Sequence, residues 1–142
     1  MTGPVPRVSG VLETSLYVDD LPRAVAFYQR LFGFERFYAD ARMTALGVPG
    51  EQVLLLFRRG ASADPAPGPG GGMVPGHDGN GHLHVCFAIP FGALAEWERH
   101  LAAQGVAIES RLHWPAGGTS LYFRDPDGNA VEVATPGLWP NR

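Results

Sequence analysis

The segment Leu121-Tyr-Phe-Arg-Asp125-Pro-Asp-Gly128-Asn-Ala-Val-Glu132-Val-Ala-Thr135 constrains this chain more than any other. Asp-Pro-Asp-Gly is a turn signal: Pro126 presets its own φ, and Gly128 is free to take a positive one. The runs on either side are therefore two antiparallel strands. Alternation with period two puts Val131 and Val133 on one face. Glu132 points the other way, between the small side chains of Ala130 and Ala134. A carboxylate there needs water, a cation or a metal, because an unpaired charge out of water is prohibitively costly.

Two other segments repeat the pattern. In Val11-Leu-Glu13-Thr-Ser-Leu-Tyr-Val18, the residues Leu12, Leu16 and Val18 share one strand face, and Glu13, Ser15 and Tyr17 share the other. In Gly81-His-Leu-His84-Val-Cys-Phe-Ala-Ile89, the residues Leu83, Val85 and Phe87 alternate with His82, His84 and Cys86. Three strands thus each carry a metal-capable side chain opposite their bulky apolar residues. A single such residue reads as a surface glutamate or a hydrogen-bonded histidine; three of them in one sheet read as a metal site.

The chain of 142 residues, 45% hydrophobic and 18% charged, is expected to fold as one domain over 1–142. A formal net charge of −3 and a pI near 5.9 argue against nucleic acid or an anionic membrane surface as partner. One cysteine excludes an internal disulfide framework and suits a reducing compartment. Cys86 reads as a small buried hydrophobe rather than a nucleophile. With no apolar signal core at the start and no run able to span a bilayer, the expected location is the cytoplasm.

Asp20 is placed to cap a helix over Leu21–Phe32, with Pro22 in its first turn, an apolar stripe of Leu21, Val25, Tyr28 and Phe32, and Gly33 at its end. Strands are expected at 34–38, 43–48 and 53–57. Residues 60–81, rich in Gly, Pro, Ala and Asp, read as a linker with little structure of its own, lying over the surface. A strand at 82–89, a helix at 90–104 with Leu94, Trp97 and Leu101, and strands at 106–112, 120–124 and 130–135 complete the chain. Strand, helix, three strands therefore occurs twice, which points to duplicated modules at 10–59 and 82–136.

These residues carry a resemblance. Leu16-Tyr-Val-Asp-Asp-Leu, Ala26-Phe-Tyr, His84-Val-Cys-Phe and above all Leu121-Tyr-Phe-Arg-Asp-Pro-Asp-Gly-Asn-Ala-Val-Glu132 resemble the vicinal oxygen chelate superfamily, which holds glyoxalase I, bleomycin-resistance proteins, fosfomycin-modifying thiol transferases and extradiol dioxygenases. The resemblance runs from about residue 12 to 135. It implies an α+β fold of paired βαβββ modules whose mixed sheets curl around a cup, and a homodimer. It also implies a divalent metal (Zn, Ni, Co, Mn or Fe) on Glu13, His84 and Glu132. Two carboxylates and a neutral imidazole suit a dication and leave positions open for a substrate that chelates through adjacent oxygens. The implied activity is that of a metal-dependent lyase or isomerase, thiol transferase or dioxygenase acting on a small oxygen-rich molecule, with Glu13 or Glu132 as base. The alternative is a metal-free, drug-sequestering protein of the bleomycin-resistance kind.

Departures from the subfamilies are visible too. A fourth glutamate ligand of the glyoxalase I pattern falls on Leu55, and the serine- and lysine-rich loop of the fosfomycin enzymes is here Leu112-His-Trp-Pro-Ala-Gly-Gly-Thr119. Ser15, Tyr17, Leu55 and Tyr122 are expected to wall the substrate pocket, with Trp114 at its mouth. His82 is expected at the pocket rim or behind a ligand. His77 is read as a plain loop histidine or as part of a loop folded over the cup, His113 as a cap or plain surface, and His100 as a solvated helix residue. Arg124 is expected to bind a substrate carboxylate or pair with Asp125 or Asp127.

Overall fold

The computed structural model describes residues 3–141, so the two N-terminal residues and the last of the expected domain lie outside it. β1 (Glu13–Val18), α1 (Leu21–Phe32), β2 (Glu35–Ala39), β3 (Met43–Val48) and β4 (Gln52–Arg58) form the first βαβββ unit. A two-residue pairing, β5 (Ala66–Pro67) with β6 (Met73–Val74), interrupts the linker. β7 (His84–Ala88), α2 (Leu94–Ala103), β8 (Ser110–His113), β9 (Thr119–Arg124) and β10 (Ala130–Ala134) form the second unit. Each unit has one four-stranded mixed sheet, ordered β1-β4-β3-β2 and β7-β10-β9-β8. The first strand of each runs parallel to the last, and the remaining pairings are antiparallel. The fold class is α+β with two βαβββ modules, as expected.

The local signals explain α1 closely. The Asp20 carboxylate accepts from the Arg23 amide at 3.1 Å, and Gly33 stops the helix at φ 68°, its amide bonded to the Gln29 carbonyl. Leu21, Ala24, Val25, Phe27, Tyr28 and Leu31 are buried. Alternation works equally well in the strands: Leu16, Val18, Leu54, Leu56, Val85, Leu121, Phe123, Val131 and Val133 enter one core shared by both units. Phe32 bridges the halves, with its ring 4.7 Å from Phe87, 5.3 Å from Trp97 and 5.0 Å from Phe34. Leu12 does not join this core: it lies ahead of β1 and stays exposed. α2 is shorter than expected, because Pro90–Gly92 form a turn before it.

The Asp125–Gly128 turn is the lock between the units. Asp125 is buried, and its carboxylate accepts four hydrogen bonds: the amides of Asp127 and Asn129 at 2.9 Å, the Tyr28 hydroxyl at 2.8 Å and the Asn129 side-chain amide at 3.0 Å. Asn129 Oδ1 in turn accepts from the Leu83 amide at 2.8 Å, just before β7. The neighbouring Asp127 accepts from the Asp19 amide at the end of β1. One turn thereby ties β1, α1, β7 and β9–β10 together. Burial, and then the nearby Asp125 carboxylate, hold the Tyr28 hydroxyl well above its usual range, so it stays a donor.

The linker is more ordered than its composition suggests. Ser62 is buried, its carbonyl accepts from the His77 amide at 2.7 Å, and Asp78 accepts from the Gly60 amide at 3.1 Å. The His77 ring packs edge-on to Phe57 at 4.6 Å, and its Nδ1 sits 2.6 Å from the Tyr17 hydroxyl. Gly79 passes so close over the Tyr17 ring that a side chain there would collide with it. Composition hid this because the anchoring partners are remote aromatic side chains of β1 and β4.

Two stability outcomes follow. Tyr28→Phe removes one donor from a buried carboxylate and is expected to cost about 1.5–3 kcal/mol in urea unfolding, whereas Asp125→Ala strands several buried donors and should cost about 3 kcal/mol or more. Replacing the exposed 66–74 excursion by a short turn should leave Tm within a few degrees, while Gly79→Val should lower it; equal losses from both changes would contradict this division of the linker.

Candidate functional site

The second sheet shows how a carboxylate is kept in a hydrophobic strand. Glu132 is paired across the sheet with Cys86 on one side and Tyr122 on the other. Its residue exposure is only 4%, so its oxygens must find partners in the protein. Glu132 Oε2 accepts a short hydrogen bond from the Ser120 hydroxyl, and Ser120 Oγ accepts from the Trp114 indole N–H at 2.8 Å. Glu132 Oε1 lies 2.9 Å from His84 Nε2. The imidazole is the outward end of this chain, with its side chain 54% exposed against 5% for Glu132. Tyr122 lies beside it, ring centroids 6.3 Å apart. Desolvation, then the Glu132 carboxylate, raise the Tyr122 hydroxyl above its usual range, so it too faces the site as a neutral donor.

Ser120 is the residue that the sequence reading missed. Its signal was available: parity in β9 sets Ser120 on the face of Tyr122, directly opposite Ala134 and next to Glu132. A buried serine beside a buried carboxylate is a hydrogen-bond partner by default. Trp114 is half-buried, with its indole N–H on Ser120. Cys86 is exposed rather than the small buried hydrophobe expected, because its face of β7 lies opposite the core; local desolvation, and then Glu132, push its thiol up to about 12, which disfavours the thiolate.

Glu13, Ser15, Tyr17 and Leu55 occupy the corresponding face of the first sheet. Ser15 pairs with Leu55 and Tyr17 with Phe57 across the parallel β1–β4 ladder. Glu13 and Ser15 are exposed. Within one chain they do not reach His84 and Glu132, and among the described residues no three His, Cys, Asp or Glu side chains are grouped to hold a metal. The reason is the shared core: both sheets bury their other faces in it, so each of these faces is turned away from it, with Glu13, Ser15, His84 and Cys86 exposed and Phe57, Ser120 and Glu132 buried.

The remaining candidates have other duties. Arg124 pairs through the Nε and Nη2 edge of its guanidinium with Glu109, at 2.9 and 3.0 Å, and donates from Nη1 to the Gly128 carbonyl, so neither Asp125 nor Asp127 is its partner. That ion pair raises Arg124 and lowers Glu109. His100 is not simply solvated: its Nε2–H donates to the Leu31 carbonyl at 2.8 Å, joining α2 to the end of α1. His82 packs against Gly128 in the turn, and His113 bonds to Thr119 Oγ1.

The sequence profile of the Glyoxalase/Bleomycin resistance protein/Dioxygenase superfamily matches residues 10–133. The chain belongs to this superfamily. It is 30% identical over 123 residues to catechol-2,3-dioxygenase of Bacillus subtilis, covering 83% of this chain but 38% of that protein. The chain thus spans well under half the length of this relative. The crystal structure of lactoylglutathione lyase from Agrobacterium tumefaciens is 35% identical and superposes with a TM-score of 0.85, covering 95% of this chain and 99% of that one. The fosfomycin resistance protein FosX from Listeria monocytogenes, solved with Mn(II) and sulfate, shares the fold at a TM-score of 0.65 and 20% identity, over 91% of each chain. Superfamily membership agrees with the turn and strand motifs, while the subfamily differences at Leu55 and the 112–119 loop remain features of this chain.

His84 and Glu132 fit a metal on their own geometry. Two donors each about 2.1 Å from one ion, at a right angle, stand about 3.0 Å apart, close to the 2.9 Å between His84 Nε2 and Glu132 Oε1. Imidazole with carboxylate is a donor set for borderline and hard divalent ions. Since Ser120 holds the other oxygen of Glu132, Ser120→Ala should cost about 1.5–3 kcal/mol in unfolding and weaken Mn(II) binding about 10- to 100-fold. Denaturation and metal titration of one sample measure both, and an unchanged metal affinity would show that Ser120 is structural alone.

Proposed function

We propose that the protein is a divalent-metal-dependent enzyme acting on a small molecule that chelates the ion through two adjacent oxygens. The site would form between two copies. Glu13 of one copy completes the pair His84 and Glu132 of the other, and twofold symmetry makes two such sites per dimer. The observation that carries this reading is the His84–Glu132 pair, donors 2.9 Å apart and aimed outward from a sheet face that a single chain leaves open. The outward, exposed placement of Glu13 and Ser15 supports it.

The ion would supply Lewis-acid polarisation of the substrate's adjacent oxygens. The chain's own residues do the rest. Glu13 is exposed within one chain and can take a proton from substrate once the partner's sheet covers it. Glu132, with one oxygen committed to Ser120, keeps its orientation throughout. Tyr122 donates a hydrogen bond toward charge that develops on a substrate oxygen. Ser15 and Leu55 shape the facing wall, and Leu55 offers no donor where a glyoxalase I pattern has its fourth ligand.

Subunit mixing tests the two-copy site directly. Glu13→Ala and Glu132→Ala should each be unable to bind one Mn(II) per chain. Random reassortment of the two variants in equal amounts should restore about one quarter of the sites, read by electron paramagnetic resonance. No restoration would overturn the two-copy site, retention of wild-type metal content in either variant would remove that residue as a ligand, and a wild-type protein that binds no Mn(II) would leave the metal-free sequestering alternative. A second outcome concerns Leu55: with Ni(II), Co(II) or Zn(II) loaded separately, turnover of the hemithioacetal of methylglyoxal and glutathione should fall below the roughly 1–10³ per second common to enzymes on their own substrates.

A further inference from the structure

The first sheet's outer face carries an exposed aromatic ring that nothing above uses. β2 has a bulge: Arg36 pairs with Leu46 and Tyr38 with Ala45, which leaves Phe37 unpaired between them. A bulge re-aims a side chain, and here it lays the Phe37 ring over Gly47, so close that any side chain at Gly47 would strike it. Gly47 has the parity of Ala45 and Met43, so its missing side chain would project from the outer face. The ring is 59% exposed. Glu13, Val53 and Gly47 are register partners across three adjacent strands. At about 4.8 Å per strand, the ring sits about 10 Å from Glu13, with Val53 between them and Leu55 and Ala45 in the next row.

Charge narrows the matter further. The chain has eleven basic residues, all arginine. Among the described residues, none of them lies on the outer face of the first sheet. The outer face of the second has Arg124, already spent on Glu109 and the Gly128 carbonyl. A phosphonate or a glutathione carboxylate would find no free guanidinium there, whereas an apolar group finds Val53 and Phe37.

We infer that Phe37, set in place by the β2 bulge and Gly47, is a specificity-determining residue, and that the substrate joins a chelating head to an uncharged apolar or aromatic arm reaching about two strand widths from the metal. The inference rests on the two-copy metal site proposed above. It excludes three-carbon and single-ring molecules as the best-fitting substrates, because these would end before the ring.

Hydroxamic acids test it, because their paired oxygens chelate alike while the body varies. Mn(II)-loaded wild-type protein is titrated calorimetrically with acetohydroxamic acid, benzohydroxamic acid, biphenyl-4-carbohydroxamic acid and the 4′-carboxylate of the last. The biphenyl compound is expected to bind about tenfold or more tighter than benzohydroxamic acid, and the added carboxylate should remove that gain. Phe37→Ala should abolish the gain while leaving acetohydroxamic acid binding unchanged, and Gly47→Ala should reduce it by pushing the ring aside. Acetohydroxamic acid binding that persists in both variants without any biphenyl gain in wild type would overturn this inference and leave the metal site standing. Acetohydroxamic acid binding that survives Glu132→Ala would overturn both. If Phe37→Ala instead shifts the sedimentation of the protein and leaves the biphenyl gain intact, the ring belongs to a subunit interface and the inference falls.

Discussion

Four hydrogen bonds to one buried carboxylate hold this architecture in register. A carboxylate held away from water needs its oxygens saturated, and the donors that saturate Asp125 come from its own turn and from α1. Asn129 extends the contact to the start of β7, and Asp127 extends it to the end of β1. The turn that closes the second module is therefore also the point at which the first module is docked. Because β10 begins one residue after Asn129, the position of Glu132 along the sheet is set by the same lock.

The site inherits its character from that position. Glu132 is buried, but it is not isolated: Ser120 takes one oxygen, His84 the other, and Trp114 secures Ser120. This is a gradient from a dry, fixed interior end to a wet, accessible imidazole. In the proposed metal site such an arrangement would orient the ligand before any metal arrives, the role that hydrogen bonds behind ligands play in metal sites generally. The first sheet lacks a comparable chain of partners around Glu13. What it carries instead are small or apolar side chains, Ser15, Leu55 and Ala45, and an aromatic cluster of Tyr17, Phe57 and His77 that closes one end. In the proposed two-copy site, ligand orientation would fall to one sheet and substrate shape to the other.

That division also accounts for the linker. A stretch of Gly, Pro and Ala has no apolar periodicity, so nothing local predicts its path. Its anchors, Tyr17 and Phe57, lie in strands far from it in sequence. The exposed excursion at 66–74 fits the expectation of a surface loop; the packed turns around Ser62 and His77 do not.

Residue parity by itself determined most of what can be read about this chain. Period two put Glu13, Ser15 and Tyr17 on one face, His84 with Cys86, and Glu132 with its small neighbours, because a strand offers its side chains only two directions. Asp20, Gly33 and the apolar stripe bounded α1 to the residue, since caps and stripes are local chemistry. Other features depended on partners that only folding brings together. Arg124 turned to Glu109 and His100 to the Leu31 carbonyl because those partners come from other elements. Ser120 became the partner of Glu132 only once β9 was paired beside β10. The separation of Glu13 from His84 and Glu132 within one chain was likewise a tertiary outcome. Parity says which face of a strand a residue takes, but only the shared core decides which way that face is turned.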